Sequence, residues 1–191
     1  MTEEIKVENY SKFKVYLEKL IGAEKYEKLI EILGGENAVM NASFGMSTDS
    51  GSAYEGALVE NALAIGDYAS KLNKLYPENM QVENKSIYIV ALLQHISKVC
   101  MYEQNDNAWE IKNRGFVYKF VDQLTALRGG ERSLFLIMQA GISLSETEFE
   151  ALRIIDKTKD DDNYSKYYSG VLTTIIRQAN EMVAIINKNK K

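Results

Sequence analysis

The sequence predicts an all-α fold: a helical bundle in a single domain, residues 1–191, with a small β-hairpin inserted. Three observations predict it. Apolar residues recur at helical spacing along most of the 191 residues. Pro77 is the only proline, so few positions force a helix to stop. One stretch alone, between residues 105 and 123, changes to closely spaced aromatic and β-branched residues. Apolar residues make up 46% of the chain, enough for one sizeable core.

The elements follow in order. Phe13, Tyr16, Leu17, Leu20 and Ile21 share a face, which predicts a helix over 11–21 that Gly22 breaks. Tyr26, Leu29, Ile30 and Leu33 predict a second over 24–33, with Gly34 and Gly35 as its stop. These two form a helical hairpin within residues 1–40. Residues 41–56 are rich in Ser, Thr, Asp and Gly and read as a loop long enough to be functional. Leu58, Ala62, Ile65, Ala69 and Leu72 predict a helix over 57–74. Ile89, Leu92, Leu93, Ile96, Val99 and Cys100 predict another over 84–102, apolar round most of its circumference and therefore central.

The hairpin is expected next. Trp109 and Ile111 form one strand, residues 112–115 the turn, and Phe116, Val117, Tyr118, Phe120 and Val121 the other. A fifth helix starts near Gly130 and reaches Gln139. Ser145 and Glu148 have capping-box spacing and open a sixth, to about Asp156. The last helix, over 165–187, carries Leu172, Ile175, Ile176, Ala179, Met182, Val183 and Ile186 in one stripe.

Composition narrows function. A net charge of −4 gives no electrostatic reason to expect nucleic acid as the main partner. No apolar run reaches membrane-spanning length. Met1, Thr2, Glu3 and Glu4 are unlike a basic-then-apolar leader, so the expected location is the cytoplasm or a virion. Cys100 is the one cysteine, which rules out an intramolecular disulfide and leaves a buried small residue or a reactive thiol.

The catalytic inventory is poor. His95 is the only histidine, and two cations held about 3.5–4 Å apart need several imidazoles and carboxylates. No nucleophile elbow, P-loop or dinucleotide fingerprint is present. Gly129, Gly130, Glu131 and Arg132 after Arg128 read either as a glycine turn or as a helix start suited to an anion. Asp160, Asp161 and Asp162 form a solvated acidic loop or a weak cation site. Tyr164, Tyr167 and Tyr168 belong to a core edge or to a contact surface.

Four segments, in order from about residue 42 to 156, resemble the HD-domain metal-dependent phosphohydrolases. Tyr54-Glu55-Gly56-Ala57-Leu58-Val59-Glu60-Asn61-Ala62 is similar to that family's Y-x-G-G-L-L-E-H-S. Ala91-Leu92-Leu93-Gln94-His95-Ile96-Ser97-Lys98 is similar to its A-L-L-H-D-x-x-K. Gly130-Glu131-Arg132-Ser133 is similar to G-H-G-E-K-S, and Ala151-Leu152-Arg153-Ile154-Ile155 to A-I-R-W-H. The resemblance implies an HD-like core over 41–156, followed by a C-terminal helix and tail over 157–191.

It also implies that the metal-ligand positions are vestigial. They fall on Asn61, Gln94, His95, Gly129 and Ile155. Glycine and isoleucine side chains bring no donor atom, and neutral amides replace imidazole poorly. A slip of one residue would make His95 the family's histidine and leave Ile96 for its aspartate, which still forms no cluster. Lys98, Arg128, Arg132 and Arg153 are candidate anion-binding residues; alternatively Lys98, Arg132 and Arg153 pair with Glu131 as scaffold.

The expectation is therefore a pseudoenzyme with no cofactor. It would be a structural, oligomeric protein with protein partners, of the kind carried by bacteriophages as a neck, tail or ring component. The alternative is a sensor that binds a nucleotide or phosphate in the old pocket, and a residual phosphohydrolase using His95 is the third reading.

Overall fold

The computed structural model describes residues 1–122, 125–155 and 170–190. Among these residues it contains nine α-helices and one two-stranded antiparallel sheet. The fold is all-α with a small inserted hairpin, as the sequence predicts.

The N-terminal helix is longer than the apolar spacing suggests. α1 spans Glu3–Ile21, and the Thr2 hydroxyl accepts from Ile5 N at its start. Glu3 and Glu4 occupy the first turn, where the helix dipole favours negative charge. Lys6 and Tyr10 extend the buried line of Phe13 and Leu17 backwards. A lysine hid that continuation from an apolar count. Lys6 is buried because its ammonium reaches Asn41 Oδ1 at 2.5 Å and Glu3 at 2.7 Å.

α2 (Ala23–Ile32) ends at Gly34 and Gly35, both at positive φ, with Gly35 N returning to the Ile30 carbonyl at 2.9 Å. α3 (Glu36–Asn41) follows. The serines of the next loop tie it together. Ser43 Oγ donates to the Gly45 carbonyl at 2.8 Å, and Ser50 Oγ to the Ser47 carbonyl at 2.7 Å. A single 3-10 turn, Thr48–Ser50, lies within it.

α4 (Ala57–Asn73), α5 (Asn84–Leu93) and α9 (Val171–Lys188) pack on one another. α1 lies across α4 and α5, and α2 packs on α1. α8 (Glu146–Ile154) covers α5 and α9, with α7 (Gly129–Gln139) against α8. One buried apolar cluster runs from Tyr10 on α1 to Val183 on α9, so residues 1–40 share the core. α5 buries Ile87, Ile89, Val90, Ala91, Leu92 and Leu93, the central position its composition requires.

Two expectations need correction. The helix expected over 84–102 stops at Leu93, and the chain resumes as a 3-10 turn, Ile96–Cys100. The break is held by serines. Ser133 Oγ donates to the Gln94 carbonyl at 3.0 Å and accepts from Ser97 N at 3.3 Å. A backbone group freed from the helix is thereby satisfied inside the core.

The hairpin is also different. β1 is Tyr102–Gln104 and β2 is Tyr118–Phe120, with Glu103 opposite Lys119. Between them stands α6 (Ala108–Arg114), which contains Trp109 and Ile111. Asn107 Oδ1 caps it by accepting from Trp109 N and Glu110 N, and Gly115 ends it at φ 66°. Those cap signals outweigh the strand propensity of the aromatic residues.

The capping box of α8 forms as expected, Ser145 Oγ accepting from Glu148 N at 3.3 Å and Glu148 Oε2 from Ser145 N at 2.8 Å. α9 is capped from another helix: Glu150 Oε1 accepts from Gly170 N and from Thr173 Oγ1, both at 2.9 Å. No helix among the described residues is long and apolar enough to cross a membrane.

Candidate functional site

Two asparagines on α9 organise the region to which the metal-ligand register points. Asn180 and Asn187 are seven residues apart, two helical turns or about 10 Å, on one side of the helix. Asn187 Nδ2 donates to Asn61 Oδ1 on α4 at 2.5 Å, while Asn61 Nδ2 donates to the Ala57 carbonyl at 2.6 Å. Asn180 Nδ2 donates to Gln94 Oε1 at 2.9 Å and to the Ile176 carbonyl at 3.0 Å. Asn180 Oδ1 lies 3.4 Å from His95 Nε2. Gln94 is 0% exposed, and its Nε2 has no hydrogen-bond partner among the described residues.

His95 stands beside a cavity of about 300 Å³ lined by Phe44, Lys98, Ile155, Arg177, Asn180 and Glu181. The imidazole meets the Phe44 ring edge-on at 5.0 Å. Lys98 Nζ donates to the Phe44 carbonyl at 2.6 Å and sits 3.8 Å from the centre of the same ring. Burial among these groups pushes the His95 pKa down to about 3, with the Lys98 charge adding to the effect and the Asn180 contact opposing it. The ring is therefore neutral through the ordinary pH range.

Three of the five ligand positions, Gln94, His95 and Ile155, thus come together on Asn180 and its cavity. Asn61 is two turns away along α9. Gly129 is spent on structure, its carbonyl accepting from Ser97 Oγ at 2.9 Å. Among the described residues, the cavity beside His95 is lined by an ammonium, a guanidinium, the Asn180 amide and the Glu181 carboxylate. That donor set does not fit a pair of divalent cations. Among the described residues no group of three or more His, Cys, Asp or Glu converges.

The four candidate anion-binding residues scatter. Lys98 lines the His95 cavity; Arg128, Arg132 and Arg153 do not. Arg132 Nη2 donates to the Thr125 carbonyl at 2.8 Å and to its hydroxyl at 3.0 Å. Arg128 and Arg153 are exposed, on α7's leading edge and on α8. The second cation of the cavity is Arg177 from α9, which the motifs did not indicate. Phe44 and Asn180 were missed too. Asn180 and Asn187 had a legible signal, because they flank an apolar stripe at i and i+7 where a buried amide needs a partner.

Cys100 is half-buried, and burial raises its thiol pKa against the lowering effect of Arg132. That favours the inert reading of this cysteine. Asp160, Asp161, Asp162, Tyr164, Tyr167 and Tyr168 lie outside the described residues, as does the expected start of the last helix at 165. Comparison with protein-family models, with curated proteins and with solved structures finds no significant match to this chain, so the case for what it does rests on the amides of α4, α5 and α9 and on the His95 cavity.

Proposed function

We propose that this chain is a non-catalytic HD-like bundle acting as a structural or interaction component, such as an assembly protein of a phage neck, tail or ring. The observation that carries the reading is the use of Asn61 and Gln94. Both are positions the resemblance gives to metal ligands, and both hold α9 through an asparagine. Amides in those places lock a helix across the old pocket instead of presenting donors to a cation.

Native mass spectrometry of the purified chain tests it, together with metal analysis and hydrolysis assays on a nucleotide panel. The expected result is a protein without stoichiometric manganese, iron or nickel and without turnover. Turnover abolished by His95→Ala would remove the reading. Mass spectrometry of purified phage particles tests the virion role.

A second reading has its own observation. Lys98 and Arg177 line one cavity beside a neutral imidazole, a setting that favours a small anion. The sensor role would then use Lys98 and Arg177 rather than the arginines of α7 and α8. Calorimetry with inorganic phosphate and with nucleotides, on the parent and on Arg177→Gln, decides it. No heat with any of them ends that reading.

A further inference from the structure

Asn180 fixes which nitrogen of His95 carries the ring proton. Its Nδ2 donates to two oxygens, Gln94 Oε1 at 2.9 Å and the Ile176 carbonyl at 3.0 Å. Turning the amide over would set its oxygen against both of them, so Oδ1 is the atom that faces His95. That oxygen can only accept. His95 Nε2, 3.4 Å away, therefore holds the proton. The ring is neutral, which leaves Nδ1 as a bare lone pair. Among the described residues Nδ1 has no hydrogen-bond partner, and it is not closed off from solvent as Gln94 Nε2 is.

His95 lines a cavity of about 300 Å³, the low end of the roughly 300–1,000 Å³ of small-molecule sites. A lone pair beside it repels an anionic oxygen and accepts an N–H or O–H. The charged groups of the lining have both signs. Lys98 and Arg177 are cationic and Glu181 is anionic. Arg177 and Glu181 stand four residues apart on α9, a spacing that allows an ion pair. No ion pair joins them, and Glu181 has no charged partner among the described residues. Phe44, Ile155 and Ala184 make the rest of the wall apolar.

A simple anion would engage the two cations and leave a carboxylate and a lone pair facing it. A zwitterion satisfies all four groups. Its carboxylate takes Arg177 and Lys98, its ammonium takes Glu181 and Nδ1, and an apolar body covers the remaining wall.

We infer that the His95 cavity binds a free amino acid with an apolar side chain, His95 Nδ1 accepting from its ammonium. This rests on the reading of the cavity as a ligand site and names the class of ligand that its charges fit.

The test combines nitrogen NMR with calorimetry on the full chain. His95 is the only histidine, so each of its ring nitrogens gives one resonance. The free protein should show a protonated Nε2 and a bare Nδ1, and L-leucine should shift the Nδ1 resonance. Leucine should bind with a dissociation constant of about 1 mM or tighter, the scale for so small a ligand. Its analogues lacking one charge, 4-methylpentanoate and 3-methylbutylamine, should each bind at least about tenfold more weakly. Glu181→Gln should weaken leucine about tenfold and leave 4-methylpentanoate unchanged, whereas Arg177→Gln should weaken both. Neither residue belongs to the buried core, and circular dichroism confirms that each variant is folded.

A proton on Nδ1 in the free protein overturns the inference. So does an Nδ1 resonance unmoved by leucine at about 10 mM, or equal binding of leucine and its singly charged analogues. Inorganic phosphate that binds where leucine does not removes the amino acid and keeps the anion reading; silence from both ligands removes the two together.

Discussion

Asn187 donates its side-chain amide to Asn61 at 2.5 Å, and both residues are buried between α4 and α9. Each is the other's main polar partner in an apolar interface, so removing one strands the other. Asn187→Ala should cost about 2–3 kcal/mol, the lost bond plus the desolvated amide left behind. Asn61→Leu combined with Asn187→Leu should cost less than the sum of the two single changes. Gln94→Met is the contrast. It removes a bond to Asn180 but also a buried Nε2 that has no partner among the described residues. Its cost should stay within about 1 kcal/mol, because Asn180 Nδ2 keeps the Ile176 carbonyl. Urea unfolding of the single and double variants measures all three.

The sequence showed the bundle well and the site in part, for physical reasons. α5 and α9 were legible because apolar periodicity is a property of one strand of chain read alone. The stops at Gly22, Gly34 and Gly35 were legible because positive φ needs glycine. The break after Leu93 was not, since it depends on Ser133, which is 39 residues away from the Gln94 carbonyl it binds. α6 was misread because Trp109 and Ile111 have strand propensity, while Asn107 and Gly115, which decide the matter, are also common in hairpin turns. At the site, the motif positions His95, Lys98 and Ile155 line one cavity, and Gln94 reaches it through Asn180. Motif order said nothing of Arg177 and Asn180, which reach that region only through the packing of α9 on α5.

His95 should make stability fall as pH drops. Its folded pKa is depressed to about 3 against an ordinary value of 6.5. Between those values the unfolded chain binds a proton that the folded chain refuses. Stability is therefore full above the unfolded value and declines as pH falls from 6.5 towards 3. The slope from this one group is at most about 1.4 kcal/mol per pH unit. His95→Gln, neutral throughout, should flatten the curve between pH 7 and 5, above the range where the carboxylates protonate. Identical slopes for parent and variant over that interval would show that the imidazole takes up its proton without unfolding.

Glu150 on α8 fixes where α9 begins. Its Oε1 accepts from Gly170 N and Thr173 Oγ1, and its negative charge faces the positive end of that helix. Glu150→Ala should cost about 1–2 kcal/mol, the value of a cap together with a dipole contact. Glu150→Gln keeps an acceptor and loses only the charge, so it should cost less than half as much. Thermal unfolding separates the two variants. Equal losses would mean that the carboxylate charge, and not the cap, is what α9 requires.

Gly51 and Gly22 both have positive φ, Gly51 in the left-handed helical region with ψ 13° and Gly22 with ψ 148°, and their surroundings differ. Gly51 sits at φ 66°, and a Cβ there would fall 2.0 Å from the Asn187 carbonyl oxygen. Gly22 sits at φ 89° with nothing within 4 Å of the same position. Alanine at Gly22 should cost about 1–3 kcal/mol, all of it from holding an L-residue at a φ, ψ pair that glycine alone adopts readily. Alanine at Gly51 costs about 1–2 kcal/mol for a left-handed conformation and must also move backbone, because the opposing atom is a carbonyl and not the tip of a flexible side chain. The steric conflict should add about 1–3 kcal/mol to that backbone cost. The displacement would act on the end of α9, next to the bond between Asn187 and Asn61 and to the cleft lined by Met1, Ile5 and Lys190. Gly51→Ala should therefore speed amide exchange in the last turn of α9, which Gly22→Ala should leave unchanged. Hydrogen exchange on both variants reads this directly, and equal exchange in that turn would show that the loop yields without disturbing the helix it packs against.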